Sequence, residues 1–215
     1  NAIYLKAAWA RPFPKTETKE GPFEVGPDEK VMMPMMHSSD ASFRYLATEE
    51  CEWLELPYTN LYADDRLAML VLLPRKGRFA AVERSLTAPA IQKVVEKLSF
   101  YHGSVTIPKF QVRMDARLRE QLGQMGMLLA FSDGADFSGI TDNRELHIGS
   151  VIHQAYLNVD EAGSEAAAAT AVMMYCSLPP PFSFTADRPF IFLIRDNKTG
   201  NILFLGRVVR PGKLS

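Results

Sequence analysis

The sequence has only two cysteines, Cys51 and Cys176, and therefore no disulfide framework. Its four histidines, His37, His102, His147 and His153, have no zinc-ligand spacing, and neither Cys-x-x-Cys nor His-Glu-x-x-His occurs. No metal and no other cofactor is expected. A Gly-x-Ser-x-Gly elbow, a phosphate loop and a dinucleotide fingerprint are all missing, so nothing points to an enzyme. There is no run of 18 apolar residues, hence no expected transmembrane helix and no membrane partner. There is no basic excess either. A net charge of −1 and a pI near 6.5 give a nucleic-acid partner no electrostatic support. Arg113, Arg117 and Arg119 come closest to a basic cluster, but Asp115 and Glu120 are interleaved with them, as on a solvated helix face. Internal repeats are absent. So is a signal peptide: Asn1-Ala2-Ile3-Tyr4-Leu5 already reads as a strand, which suggests a fragment or processed product.

What is present suits a buried core: 47% of the 215 residues are apolar and 23% charged. Ile3, Leu5 and Ala7 alternate with Tyr4, Lys6 and Ala8, and Trp9 and Phe13 follow. This predicts one long strand over 1–13, ended by Pro12 and Pro14. Gly21-Pro22 and Gly26-Pro27 bracket a short strand at Phe23–Val25. Met32-Met33-Pro34-Met35-Met36 reads as strand core filled by adaptable thioethers. Strands follow at 43–48, 52–58 and 67–73, the last uninterrupted apolar and expected to be buried on both faces. Asp64-Asp65 reads as a hairpin turn with no third metal ligand nearby. Helical signals run over 79–98, with Thr87 and Pro89 at a helix start and Ile91, Val94, Val95 and Leu98 in period. A strand is expected over 105–114, then a stripe of Leu118, Leu122 and Met125 closed by Gly126. Residues 131–136 read as a loop, 146–159 as a strand with His153 as a core residue. Strands at 182–184, 190–194 and 202–209 end the chain, the last two joined by an Asp196–Gly200 hairpin. Asn197-Lys198-Thr199 is a glycosylation sequon if the chain is secreted. Strands dominate, helices are few, and the class is α+β.

Residues 160–181 differ from all of this. Asp160-Glu161-Ala162-Gly163-Ser164-Glu165 leads into Ala166, Ala167, Ala168 and Ala169, then a mixed segment from Thr170 to Leu178, then three prolines. Three readings stand side by side. Alanines with Ser164 as a cap suit a helix; the composition also suits a linker. As a strand, Ser164, Ala166, Ala168, Thr170, Val172 and Met174 make one uncharged face, while Glu165 opens the other. Thirteen residues of strand would span roughly 43 Å. Small side chains are what such a segment needs to slot between strands already packed.

Several spaced pieces identify a family. They include Asn1-Ala2-Ile3-Tyr4 with Lys6 and Trp9, Ile107-Pro108-Lys109-Phe110, Leu122-Gly123-Gln124-Met125-Gly126, Val159-Asp160-Glu161-Ala162-Gly163-Ser164-Glu165-Ala166-Ala167, Ala186-Asp187-Arg188-Pro189-Phe190 and Phe204-Leu205-Gly206-Arg207-Val208. In order and spacing the whole chain resembles the serpins. The resemblance implies a serpin-like α+β fold of large, mostly antiparallel sheets with few helices and an exposed reactive-centre loop at about 161–181. It implies a single serpin domain over 1–215, its C-terminal portion. The N-terminal half is absent and counts as a partner. It also implies a serine-protease inhibitor that traps its target as a suicide substrate. The cut loop enters the large sheet between the strands at 1–10 and 148–160. The alternative is a non-inhibitory member acting as a carrier or chaperone binding module.

Residue roles follow from the same resemblance. The hinge is Glu161, Gly163, Ser164, Glu165, Ala166, Ala167, Ala168, Ala169 and Thr170. Asn1 and His153 look like a hydrogen-bonded pair where the sheet must part. Glu161 and Lys109 look like an ion pair over Trp9, partly exposed and worth about 1 kcal/mol or less. Counting sixteen residues from Glu161 puts the reactive bond at Ser177-Leu178, while counting back from Pro189 gives Leu178 instead. Tyr175 and Cys176 are alternative specificity residues. These side chains suit a chymotrypsin-like or elastase-like target, with a cysteine protease as the alternative. The family default is extracellular, with cytoplasmic as the other option. Leu5 and Ala7 depart from the family's more usual aromatic and glycine.

Overall fold

The computed structural model of the chain describes residues 1–59, 67–141, 146–164 and 181–211. Its strands are β1 (Ala2–Tyr4), β2 (Ala7–Ala8), β3 (Lys19–Gly26), β4 (Glu29–Ala47), β5 (Cys51–Pro57) and β6 (Leu67–Pro74), then β7 (Ser99–Pro108), β8 (Phe110–Arg117), β9 (Ile152–Val159), β10 (Gly163–Ser164), β11 (Pro181–Thr185), β12 (Phe190–Asp196) and β13 (Ile202–Val208). The α-helices are α1 (Phe79–Ser85), α2 (Ala88–Val95) and α3 (Arg119–Gln124). Two compact units result, residues 1–5 with 112–157 and residues 6–111 with 158–215.

The larger unit is built on one sheet in the order β11-β7-β4-β5-β6-β12-β13, with β3 also paired to β4. The uninterrupted apolar run of β6 lies inside this order and is buried on both faces, as expected. Helices α1 and α2 cover one face, packing Val82, Ile91 and Val95 onto Trp53, Leu70, Leu72, Ile191 and Leu193. The helical signal over 79–98 is split between them. Leu86 and Thr87 are extended, and the Thr87 side chain accepts the Ala90 N–H at 3.3 Å to start α2. Alternation along β12 sends Phe190 and Phe192 to the other face, where Phe110 lies 5.6 and 5.3 Å from their rings.

The methionine run and the strand expected at 43–48 belong to one strand, the 19-residue β4. An irregularity between Ser38 and Ala41 in its pairing with β7 lets it bend. Its start then pairs with β3 and its end with β5. Met33, Met35 and Met36 are buried as expected, but Met32, nearer the start of β4, is 64% exposed. The strand expected over 105–114 breaks at Lys109, whose N–H bonds the Pro34 carbonyl at 2.9 Å.

β11 runs parallel to β7, from Pro181↔His102 to Thr185↔Thr106. Gly103 allows this contact: a Cβ there would lie 1.8 Å from the Phe182 carbonyl oxygen. Phe182 in turn stacks on Tyr45 with 4.7 Å between ring centroids. The chain just beyond the 165–180 stretch is thus fixed into the sheet.

The smaller unit carries a sheet in the order β1-β9-β8, with β1 parallel to β9. Two expectations are corrected here. The single strand expected over 1–13 is two, β1 and β2, because their partners differ: β9 pairs in parallel and β10 antiparallel, and the two ladders need different hydrogen-bond patterns. The strand expected over 146–159 begins only at Ile152. Helix α3 is closed by Gly126 at φ +100°, as expected, yet none of its residues is buried and Met125 is 83% exposed.

A Gly103→Ala substitution forces β11 off β7. We expect it to lower unfolding stability by about 1–3 kcal/mol. Gly149→Ala, where a Cβ meets nothing within 4 Å, serves as the control and changes stability by no more than roughly 0.5 kcal/mol in denaturant titrations.

Candidate functional site

The end of β9 turns back on itself. The Asp160 carboxylate accepts the N–H groups of Ala162 at 2.8 Å and Gly163 at 3.3 Å, an Asx turn. The backbones of Asp160 and Gly163 also bond each other in both directions. Gly163 has φ +138°, and a Cβ on it would lie 2.3 Å from the Ala7 oxygen and 2.7 Å from Ala8 Cα. Only glycine meets both demands. The reversal sends Gly163 and Ser164 antiparallel along β2, pairing them with Ala8 and Ala7.

Trp9 holds this turn. It is 1% exposed. Its backbone N–H bonds the Ala162 carbonyl and its indole N–H the Asp160 carbonyl, both at 2.9 Å. The Phe13 N–H bonds the Glu161 carbonyl, also at 2.9 Å. Three successive carbonyls of a buried turn are therefore satisfied from one short segment. On the other side of that segment, Thr59 N–H bonds the Ala8 carbonyl and Ala10 N–H the Pro57 carbonyl.

Ser164 is fully buried, and its Oγ lies 3.1 Å from the Tyr58 hydroxyl. Tyr58 is also fully buried, with its ring stacked on Trp9 at 4.4 Å between centroids and 13° between planes. Burial raises the Tyr58 phenol well above its ordinary range, and the Ser164 hydrogen bond only partly offsets this. The phenol stays protonated.

Glu161 is the charged member of the site. Lys109 Nζ lies 2.9 Å from its carboxylate, and the Thr18 hydroxyl donates to it at 2.8 Å. Burial opposes its ionisation, but the hydrogen bonds from Lys109 and Thr18 and the lysine charge outweigh that, so its pKa is held below the ordinary carboxylate value. The expectation of a partly exposed pair is corrected at the glutamate end: Glu161 is only 6% exposed.

Of the residues expected from sequence, Trp9, Lys109, Glu161, Gly163 and Ser164 meet in this one place. Asn1 and His153 lie in the smaller unit. There Asn1 N–H bonds the Ile152 carbonyl and Gln154 N–H the Asn1 carbonyl, which sets Asn1 opposite His153 in the parallel ladder. His153 is half-buried rather than in the core. Glu165, Ala166, Ala167, Ala168, Ala169, Thr170, Tyr175, Cys176, Ser177 and Leu178 lie outside the described residues, as does the Asp64-Asp65 turn. Sequence reasoning missed Tyr58, Thr18 and Phe13. Tyr58 ends an alternating strand with nothing local to set it apart, since its partner Ser164 is 106 residues away. Cys51 is buried, and burial with the neighbouring Glu52 carboxylate pushes its thiol up to about 12, which leaves it unreactive.

The family model described as serpin (serine protease inhibitor) matches residues 1–211. The chain belongs to the serpin family. An uncharacterised serpin-like protein of Thermococcus kodakarensis is 40% identical over 98% of this chain and 49% of its own length. Leukocyte elastase inhibitor A of Mus musculus is 35% identical over 98% of this chain and 57% of its own. Among solved structures, human thyroxine-binding globulin complexed with thyroxine superposes with a TM-score of 0.85 at 31% identity, over 99% of this chain and 56% of that one. Mouse protein Z-dependent protease inhibitor gives 0.81 at 31%, over 98% and 54%. This serpin chain spans about half the length of the curated relatives it matches. Among the described residues no helix is long and apolar enough to cross a membrane.

The ion pair of this serpin gives a pH test. A carboxylate whose pKa is lowered by folding contributes stability above its ordinary pKa, and that contribution is lost as pH falls through the folded value. Lys109→Met is expected to cost about 1.5–3 kcal/mol at pH 7. The gap from wild type should close as the pH is taken below the ordinary carboxylate range. Chemical denaturation at pH 7 and pH 3 measures it; a gap equal at both would rule out the ion pair as its source.

Proposed function

We propose that the full-length protein containing these residues as its C-terminal portion is an irreversible inhibitor of a serine protease, and that residues 161–181 are its bait. The observation that carries this reading is the pairing of Gly163 and Ser164 with Ala8 and Ala7, which starts a new strand at the base of the loop. Direction supports it. β1 and β9 are parallel, so a strand entering between them can run antiparallel to both. The Asp160–Gly163 turn sends the chain in that direction.

Register supports it as well. An inserted strand that kept the register of Ser164↔Ala7 would bring Ala167, Ala168 and Ala169 opposite Tyr4, Ile3 and Ala2. In the uncut protein those β1 positions pair with Tyr156, Ala155 and Gln154 of β9. Entry of the loop means parting these three pairs and the Tyr4–Tyr156 ring stack at 6.0 Å. Alanine side chains make that entry sterically cheap. Asn1 and His153 lie opposite each other in the same ladder, and in this reading they control the parting.

In this mechanism the protease serine attacks the scissile carbonyl, which we assign to Ser177-Leu178, with Tyr175 and Cys176 as alternative specificity residues. The acyl-enzyme forms and the chain beyond the bond leaves as an amine. The freed loop zips into the sheet from Ser164 onward and carries the acylated protease with it. Tyr175, Cys176 and Leu178 would all suit an apolar specificity pocket, which favours a chymotrypsin-like or elastase-like target, with a cysteine protease as the alternative. The alternative is a carrier or chaperone role, for which the loop need not insert.

Incubation of the full-length protein with chymotrypsin and with elastase should give a complex stable in SDS. The N-terminus of the released fragment should read from Leu178. Cleavage without any complex, and without a rise in melting temperature, would count against inhibition. Ser164→Arg places a long cation where the serine is wholly buried, and should convert an inhibitor into a substrate.

A further inference from the structure

Among the described residues, Tyr58 and Ser164 are the two buried hydroxyls that meet at the seat of the loop. The backbone pair at 163 requires glycine and the one at 164 would form with any small residue, while Trp9 holds only the turn at 160–162. The one side-chain hydrogen bond seen from residue 164 goes to Tyr58, at 3.1 Å between two fully buried hydroxyls. Tyr58 is itself held rigidly. Its N–H bonds the Leu67 carbonyl, and its ring stacks on Trp9. A buried hydroxyl without a partner is costly, so each of the two favours the state in which the other is present.

We propose that Tyr58 is a positioning residue for loop entry: its hydroxyl latches Ser164 into the sheet before cleavage, so that insertion starts from a strand already begun. This rests on the inhibitory reading above. Starting a strand is the expensive step, because the first residues must be ordered before neighbouring contacts compensate. A latch that keeps the first two residues ordered removes that step from the race between insertion and deacylation of the trapped protease. In the open state Ser164 leaves, Tyr58 loses its partner, and water reaches Trp9.

Tyr58→Phe keeps the ring and its stack on Trp9 and removes only the hydroxyl. Ser164→Ala tests the same bond from the other side and keeps the small side chain that fits the seat. Two readouts in the full-length protein separate the latch from the inhibitory reading. Trp9 emission in the uncut protein, with Trp53 and any tryptophan of the remaining chain replaced by Phe, reports seating whether or not a protease is ever trapped. The number of inhibitor molecules consumed per protease inactivated reports entry.

We expect Tyr58→Phe to shift Trp9 emission to the red and to raise the number consumed roughly five-fold, the weight of one buried hydrogen bond. The double variant should be no worse than either single variant, because both remove the same bond and the double leaves no hydroxyl without a partner. The latch is overturned if Tyr58→Phe leaves Trp9 emission unchanged, or if the effects of the two substitutions simply add. If the emission shift is present but the parent protein traps no protease, the latch stands and the inhibitory reading falls.

Discussion

The site depends on one close approach of backbones. At Gly163 the chain lies so near Ala7, Ala8 and Trp9 that no side chain fits between, and it does so with a positive φ. Everything else about the loop's base follows from this contact. The turn at Asp160 delivers the chain to it, and the β10–β2 pairs extend it. A bulkier residue at 163 would be excluded by space and by conformation at once. The glycine therefore sets where the loop leaves the sheet and in which direction it runs.

Around that contact the polar groups are matched almost without help from solvent. Carbonyls 160, 161 and 162 each receive a donor from Trp9 or Phe13. The Glu161 carboxylate receives Lys109 and Thr18. Glu161 lies within the turn and its two donors anchor it there, while Gly163 and Ser164, which pair with β2, carry no charge. A charged residue at 164 would face a buried hydroxyl and an aromatic pair instead.

How legible this was in the sequence depends on the range of the interaction. The β6 run from Leu67 and the β12–β13 hairpin at Asp196–Gly200 announced themselves, because periodicity and turn chemistry act over a few residues. Gly163 and Ser164 were also visible, as small residues following an acidic turn. The break between β1 and β2 was not visible. Ala2 to Ala8 alternate smoothly, and only the change of partner from β9 to β10 divides them. The join of the methionine run to the strand at 43–48 was missed for the reverse reason. Polar Ser38 and Ser39 look like a loop locally, while β7 on one side carries the strand through. Tyr58 stayed hidden because its role is set by a residue 106 positions away.

The two ends of the loop explain why a chain with its new strand already begun need not complete it. Ser164 is fixed through β10, and Pro181 is fixed through β11 onto β7, where Gly103 admits the Phe182 backbone. An intact loop is tethered at both points. The β1 positions it would take are occupied by β9 through three parallel pairs and a tyrosine stack. Aromatic stacking of this kind contributes about 0.5–1.5 kcal/mol beyond area burial, a modest barrier next to a ladder that would pair an inserted strand on both sides. On the proposed mechanism, then, the larger restraint is the tether at β11. Cutting the loop removes that tether and leaves the seat at Ser164 untouched. A single peptide bond could in this way hold a long-range rearrangement in check, with the starting residues already in place.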